Sequence, residues 1–238
     1  MVRNRLVFGL VPYLAVLIAG CASATPAPDP TALPTQTPPT APTATSPAAE
    51  PTAMLEPEAG ILRLVIAPQG NQARFSVREQ LVNLTLPNDA VGTTAAVSGV
   101  IVIQLDGQVI PEGSRFVVDM TTLATDNSRR DSYIHRSTLE TGTYPEAVFV
   151  PTAAAGLPSP LPDSGPVAFQ LSGDLTVHGV TRPVTWEVTA EIAGQSLTGT
   201  ATTSITFTDF GMTLPRVGPV LSVEDLIALQ LDFVLALE

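Results

Sequence analysis

Residues 167–192 read VAFQLSGDLTVHGVTRPVTWEVTAEI, and this stretch decides the fold class. Val167, Phe169, Leu171, Leu175 and Val177 alternate with Gln170, Ser172, Asp174 and Thr176, the period-two pattern of an extended strand with one apolar face. The alternation resumes with Val184, Trp186, Val188 and Ile192 against Thr185, Glu187, Thr189 and Glu191. Between the two runs, His178-Gly179-Val180-Thr181-Arg182-Pro183 supplies turn formers, so the pair is expected to make a hairpin.

The same pattern extends outward. Leu197 to Phe207 places Thr198, Thr200, Thr202, Ser204 and Thr206 on a wet face, and Leu229, Leu231, Phe233, Leu235 and Leu237 end the chain in the same way. Ile61 to Ala67, Phe75 to Val77, Val97 to Leu105 and Phe116 to Met120 bring the expected number to roughly eight or nine strands. So many strands, each with one apolar face and with little helix to cover them, are expected to close on themselves as an all-β antiparallel barrel. One short helix is expected over Asp126 to Leu139, capped by Asp126 and set at one end of the barrel. Leu86 to Thr94 and Leu157 to Pro166 read as loops.

The N-terminal part has different chemistry. Arg3 and Arg5 precede a weakly polar run from Leu6 to Ala19 that is shorter than the ~20 residues of a bilayer-spanning helix and has the charged, apolar, small-residue order of a secretion signal. Leu17-Ile18-Ala19-Gly20-Cys21 resembles a bacterial lipobox, in which the peptide is cut before a cysteine that then carries acyl chains. Cys21 is the single cysteine of the chain. The bland alternative is a plain signal peptide with an incidental cysteine. From Ala22 to Glu58, Pro, Thr and Ala make up 27 of 37 residues, a composition that cannot form a core and reads as an extended linker or an unselected spacer. The expected organisation is therefore a signal peptide at 1–20, a lipidated Cys21 with a Pro/Thr/Ala-rich linker over 21–59, and a barrel domain over 60–238. This places the protein outside the cytoplasm as a membrane-anchored lipoprotein of a bacterial cell envelope.

Charge and composition exclude several function classes. Eleven basic against 22 acidic residues cannot make the positive surface that nucleic acid requires. One Cys and two His argue against a disulfide framework and a His/Cys metal centre; an all-oxygen site stays open on composition, and no metal-binding residue is assigned. No nucleophile elbow, phosphate loop or zinc spacing occurs, so no catalytic residue is assigned and the chain is not expected to be an enzyme.

Five segments then occur in a telling order: Phe75-Ser76-Val77-Arg78; Asp126-Asn127-Ser128-Arg129-Arg130-Asp131 with Ile134-His135-Arg136; Tyr144-Pro145-Glu146-Ala147-Val148-Phe149; Gly173 through Thr185; and Thr208-Asp209-Phe210-Gly211-Met212. Together they resemble the YceI-like family of secreted polyisoprenoid-binding proteins, over about Leu62 to Glu238, with Gly173 to Thr185 the most specific piece. The resemblance implies a single antiparallel lipocalin-like β-barrel of about eight strands around a long apolar cavity. It also implies an isoprenoid ligand, such as a quinone or polyprenyl lipid, and no cofactor beyond that ligand. A His that the family often carries near Val77-Arg78-Glu79 is absent here, and the two loops look lengthened, which bears on the cavity mouth more than on the fold.

Strand parity points Phe75, Val77, Phe116, Val118, Phe169, Leu171, Trp186, Val188, Ile205, Phe207 and Phe233 inward, as candidate lining residues for such a ligand. The same residues would equally fill a solid core. His178 reads as a turn-stabilising residue, His135 with Arg129, Arg130, Asp131 and Arg136 as a solvated charged face whose alternative role is contact with a ligand headgroup, and Asp209 as a turn former. Two functions remain: a membrane-tethered binder or carrier of a polyisoprenoid or similar amphiphilic lipid, or a structural module of the envelope with a solid barrel. An enzyme of uncharacterised type ranks third, and the oligomeric state is open.

Overall fold

The computed structural model describes residues 60–216, 218 and 220–238. The chain divides into two units, Met1–Thr52 and Ala53–Glu238. The expected signal peptide, the lipidated Cys21 and the linker over 21–59 lie outside the described residues.

Among the described residues eleven strands follow one another: β1 (Ile61–Ile66), β2 (Gln72–Leu81), β3 (Asn88–Thr94), β4 (Val97–Gln104), β5 (Arg115–Asp119), β6 (Ala124–Thr125), β7 (Glu146–Ala155), β8 (Ser164–Val177), β9 (Val180–Ala193), β10 (Ser196–Thr206) and β11 (Val220–Leu237). All pairings are antiparallel, and eight strands form a ring in the order β1-β4-β5-β7-β8-β9-β10-β11. The ring closes where Leu64, Val65 and Ile66 pair with Leu237, Ala236 and Leu235. The expected antiparallel barrel of about eight strands is thus the observed fold.

The other three strands are continuations of ring strands that turn a corner. β11 has 18 residues, roughly 60 Å of extended chain, so its C-terminal part pairs with β1 while its earlier part pairs with β2. Between β1 and β2 the chain bends at Gly70, and the buried Asn71 holds the bend. Its Nδ2 donates to the Ala67 carbonyl at 2.7 Å, and its Oδ1 accepts from the Val234 amide at 2.8 Å. β3 passes into β4, and β5 into β6, at bends that the hydroxyls of Thr94 and Thr122 join at 2.6 Å. A 3-10 turn over Met120–Thr122 begins at Asp119, whose carboxylate accepts from the Thr121 amide and hydroxyl. Those hydrogen bonds hold the Asp119 carboxyl below its ordinary range.

Several sequence expectations need correction. Leu86 to Thr94 is mostly strand: β3 pairs along β2 from Ala73↔Thr94 to Glu79↔Asn88, because the free edge of β2 supplies partners for its backbone despite its turn-rich residues. β6 and β7 are strands beyond those expected, and β7 contains Pro151 at a bulge opposite β8. Gly173 faces that bulge so closely that a Cβ there would lie 2.3 Å from the Val150 carbonyl oxygen. Leu157 to Pro166 yields its last residues to β8, which begins at Ser164.

The β8–β9 connection is only His178-Gly179, since Val180 already pairs with Val177. Both turn residues have positive φ, 51° and 73°, as a tight two-residue hairpin with right-handed strand twist requires. The helix α1 covers Ser128–Tyr133, with a π-helical turn over Ile134–Thr138. Its cap is Asn127, not Asp126: the Asn127 side-chain Oδ1 accepts from the amides of Arg129 and Arg130, while Asp126 ion-pairs with Arg130.

Candidate functional site

The inward faces of the strands enclose a cavity of about 1110 Å³. All eleven parity-selected residues line it: Phe75, Val77, Phe116, Val118, Phe169, Leu171, Trp186, Val188, Ile205, Phe207 and Phe233. Many more apolar residues join them, including Leu64, Ile101, Phe149, Ile227 and Leu231. Phe75, Phe116, Phe169 and Trp186 face inward yet stay only half-buried, as side chains do when they border a void instead of filling it. Phe149 and Trp186 meet edge-to-face at 6.0 Å between centroids, which orients the single Trp of the chain on the wall.

Elsewhere in the interior the packing is tight. Val188 lines the cavity, whereas Ala190, two residues on and inward as well, does not. Ala190 sits opposite Gly199, where an added Cβ would come within 2.5 Å of the Ala190 Cβ. Phe210, at 1% exposure, and Pro151 are packed solid.

The two ends of the cavity differ. At one end the lining comes from Leu105, Leu157, the Pro160-Leu161-Pro162 loop, Leu197 and Leu237, with Asp163, Gln195 and Ser196 among the polar contributions. At the other end the lining comes from α1 and its flanks, from Leu81 and Asn83 after β2, and from Pro215 and Val220 before β11. There the inward parity of β2 runs Phe75, Val77, Glu79, so a carboxylate follows two apolar residues onto the cavity wall. Glu79 is only 6% exposed and accepts from Nη2 of Arg130 at 3.0 Å. The pair joins residues 51 apart in sequence and docks α1 across the barrel end. Parity alone identifies Glu79 as inward. Its helical partner carries no local signal.

The remaining polar candidates have structural surroundings. His135 contacts the Leu123 carbonyl through Nε2 at 2.9 Å and the Thr141 hydroxyl through Nδ1 at 3.3 Å, and it is not among the cavity-lining residues. It therefore leaves the solvated face expected for it and ties the helix to its flanks. Among the described residues the His178 side chain makes no turn hydrogen bond. It packs edge-on against Tyr144 at 4.8 Å, with Nε2 3.7 Å from a Glu140 oxygen. The turn after β10 is ordered by Asp225, which accepts from the Thr208 amide and hydroxyl, and by the Thr206 hydroxyl, which accepts from the Asp209 amide. The Asp209 carboxylate makes no hydrogen bond among the described residues. Likewise, among the described residues no three His, Cys, Asp or Glu side chains cluster as metal ligands.

The model for the YceI-like domain matches residues 64–235. A UPF0312 protein of Pseudomonas putida (strain GB-1) is 36% identical over 114 residues, covering 44% of this chain and 56% of the relative. A UPF0312 protein of Pseudomonas syringae pv. tomato is 33% identical over 125 residues, covering 49% and 60%. The chain thus spans little more than half the length of these curated relatives. Among solved structures, it is similar to a polyisoprenoid-binding domain from Saccharophagus degradans implicated in plant cell wall breakdown. The TM-score is 0.56 with 13% identity, over 74% of this chain and 99% of that one, a likeness of fold.

Proposed function

Given that the chain belongs to the YceI-like family, we propose that it binds an isoprenoid or similar amphiphilic lipid inside the barrel and acts as a binder or carrier, not an enzyme. The observation that carries this reading is the apolar cavity of about 1110 Å³, at the upper end of or above the ~300–1,000 Å³ of ordinary small-ligand pockets. The Saccharophagus domain, named for polyisoprenoid binding, adds support through its shared fold. Binding of a prenyl tail needs no reaction. Apolar area leaves water at ~25 cal/mol per Å², less the cost of ordering the chain. The aromatic wall of Phe75, Phe116, Phe169 and Trp186 is already half-formed around the space the tail would occupy.

The sequence motif around Cys21 supports a second part of the proposal: the mature protein is held at a bacterial envelope membrane by acyl chains on Cys21, outside the cytoplasm, with residues 22–58 as tether. Organic extraction of the purified full-length protein followed by mass spectrometry tests the central claim. A stoichiometric prenyl lipid or quinone is the expected result. Protein that carries no lipid and takes up none when offered geranylgeraniol overturns it.

A further inference from the structure

The β2–β3 hairpin ends in a tip that keeps aliphatic side chains in water. From Gln80 to Asn88 the sequence QLVNLTLPN carries no charge, and residues 82–89 are all exposed. Val82, Leu84 and Leu86 are 61%, 43% and 74% exposed. Leu221, 65% exposed, stands beside them in the bulge of β11 between the Val220↔Leu81 and Ser222↔Gln80 pairs. These are four of the eight large apolar side chains exposed among the described residues, so they form a patch, which scattered exposed leucines would not. The tip is also built to hold its shape. The Leu84 amide donates to the Leu81 carbonyl at 3.2 Å, and Nε2 of Gln80 donates to the carbonyls of Leu81 and Leu84 at 3.1 and 2.6 Å. Backbone groups that water would otherwise serve are met within the hairpin, as entry into a water-poor layer requires.

Two observations select a lipid surface as the partner of this patch. The first is continuity: Leu81, Asn83 and Val220, at the root of the patch, line the cavity, so the outer aliphatic surface runs into the inner one. The second is charge. Although acidic residues outnumber basic ones two to one in the chain, Arg129 and Arg136 of the α1 segment and Arg216 after Pro215 form no ion pair among the described residues. The carboxylates of the same elements are largely engaged: Glu79 and Asp126 with Arg130, Asp89 with Arg78, Asp131 with Thr125 and Asp225 with Thr208. Glu224 lies near Arg78 and adds to the field there. Free guanidinium groups beside an uncharged aliphatic tip complement the phosphates and acyl boundary of an anionic bilayer. An isologous contact with a second copy would instead set these arginines against one another.

We propose that the β2–β3 tip, together with Leu221, inserts into the interfacial layer of an anionic membrane and seats the α1 end of the barrel on it. This contact is separate from acylation at Cys21 and from whatever the cavity holds.

Leu84→Trp in the full-length protein places a fluorophore in the patch, and the wild type, whose single Trp186 lies in the barrel wall, gives the background. Thr189→Trp, at an exposed position on β9, is the comparison site. The vesicles are brominated phosphatidylcholine, with or without phosphatidylglycerol. Quenching above background at residue 84 should exceed that at residue 189 by about threefold or more. The excess should grow with phosphatidylglycerol and shrink as salt is raised. An acyl anchor brings both variants to the vesicle equally, so anchoring alone gives equal quenching. Adding Val82→Asn and Leu86→Asn to Leu84→Trp should bring its quenching down to that of Thr189→Trp. Leu86→Trp is the second reporter if the urea unfolding midpoint of Leu84→Trp falls. Quenching at both tip positions no greater than at residue 189 overturns the proposal, and excess quenching that ignores phosphatidylglycerol overturns the assignment to an anionic surface. A blue shift that rises with protein concentration in the absence of vesicles, without excess quenching, also overturns it and assigns the patch to contact between copies. Each of these results leaves the lipid-binding reading standing, because geranylgeraniol uptake is measured without vesicles.

Discussion

Replacing Val188 by Trp tests whether the space inside the barrel is the site of binding. Val188 is 3% exposed, lies between Phe169 of β8 and Ala201 of β10, and borders the cavity. An indole carries roughly 150–250 Å² of buriable surface, and placed here it would occupy wall area that a tail otherwise covers. At ~25 cal/mol per Å² that area corresponds to about 4–6 kcal/mol of lost apolar contact, or a weakening of ligand binding by roughly three to four orders of magnitude. Stability should respond differently. Because the new side chain enters a void, urea denaturation should show a loss below about 1 kcal/mol, less than the ~1–3 kcal/mol typical of an overpacked core. Ala190→Leu on the same strand is the contrast, since its surroundings are closed by Gly199 and it should show that full overpacking cost. The measurements are urea unfolding and geranylgeraniol titration on the same preparations. A Val188→Trp protein that unfolds as readily as Ala190→Leu would refute the void, and one that stays folded with wild-type affinity would refute its role in binding.

Asn71→Ala removes the side chain that satisfies both the Ala67 carbonyl and the Val234 amide, so a loss of about 2–4 kcal/mol in urea unfolding is expected. A loss under about 0.5 kcal/mol would mean that the corner does not depend on it. Arg130→Met should cost about 3 kcal/mol by leaving the Glu79 carboxylate buried without its cation, and adding Glu79→Gln to that variant should recover much of the loss. If the double variant is no more stable than Arg130→Met, the pair is not the reason for the cost. Gly179→Val should lower the unfolding midpoint, because the turn needs positive φ and a Cβ would lie 2.6 Å from the Tyr144 ring. An unchanged midpoint would count against the two-residue turn. Cys21→Ser should move the protein out of the membrane fraction, and equal retention would refute acylation at that residue.

Much of the fold was legible because alternation along one strand is local information. Val167 through Val177 and Val184 through Ile192 announce their faces by themselves, and parity then selected eleven residues that the structure brings to one cavity wall. Glu79 continues the parity of Phe75 and Val77 onto that wall, and the sequence reading, which followed apolar residues, passed over it. It failed where a neighbouring strand decides the conformation. Asn88 to Thr94, rich in Asp, Asn, Gly and Thr, reads as loop and becomes strand only because the edge of β2 is there to pair with it. β7 is obscured by Pro151 and a run of alanines, yet Pro151 is buried at a bulge that the close approach of Gly173 allows. The short hairpin turn was read as six residues because Val180 to Pro183 contains turn formers, and its pairing with β8 extends the strand through them.

The sequence by itself determined the class of structure, the inward set of side chains and the composition of the segment before the barrel. Only the tertiary structure decided that the inward set surrounds a void. Parity says which way a side chain points but not how far away the opposite wall stands. That distance follows from the number of strands in the ring and from the closing register of Leu64, Val65 and Ile66 on Leu237, Ala236 and Leu235, a contact between the two ends of the domain. The ion pair at the α1 end has the same origin. Glu79 and Arg130 meet because ring closure and the corner after β5 carry α1 over the end of β2.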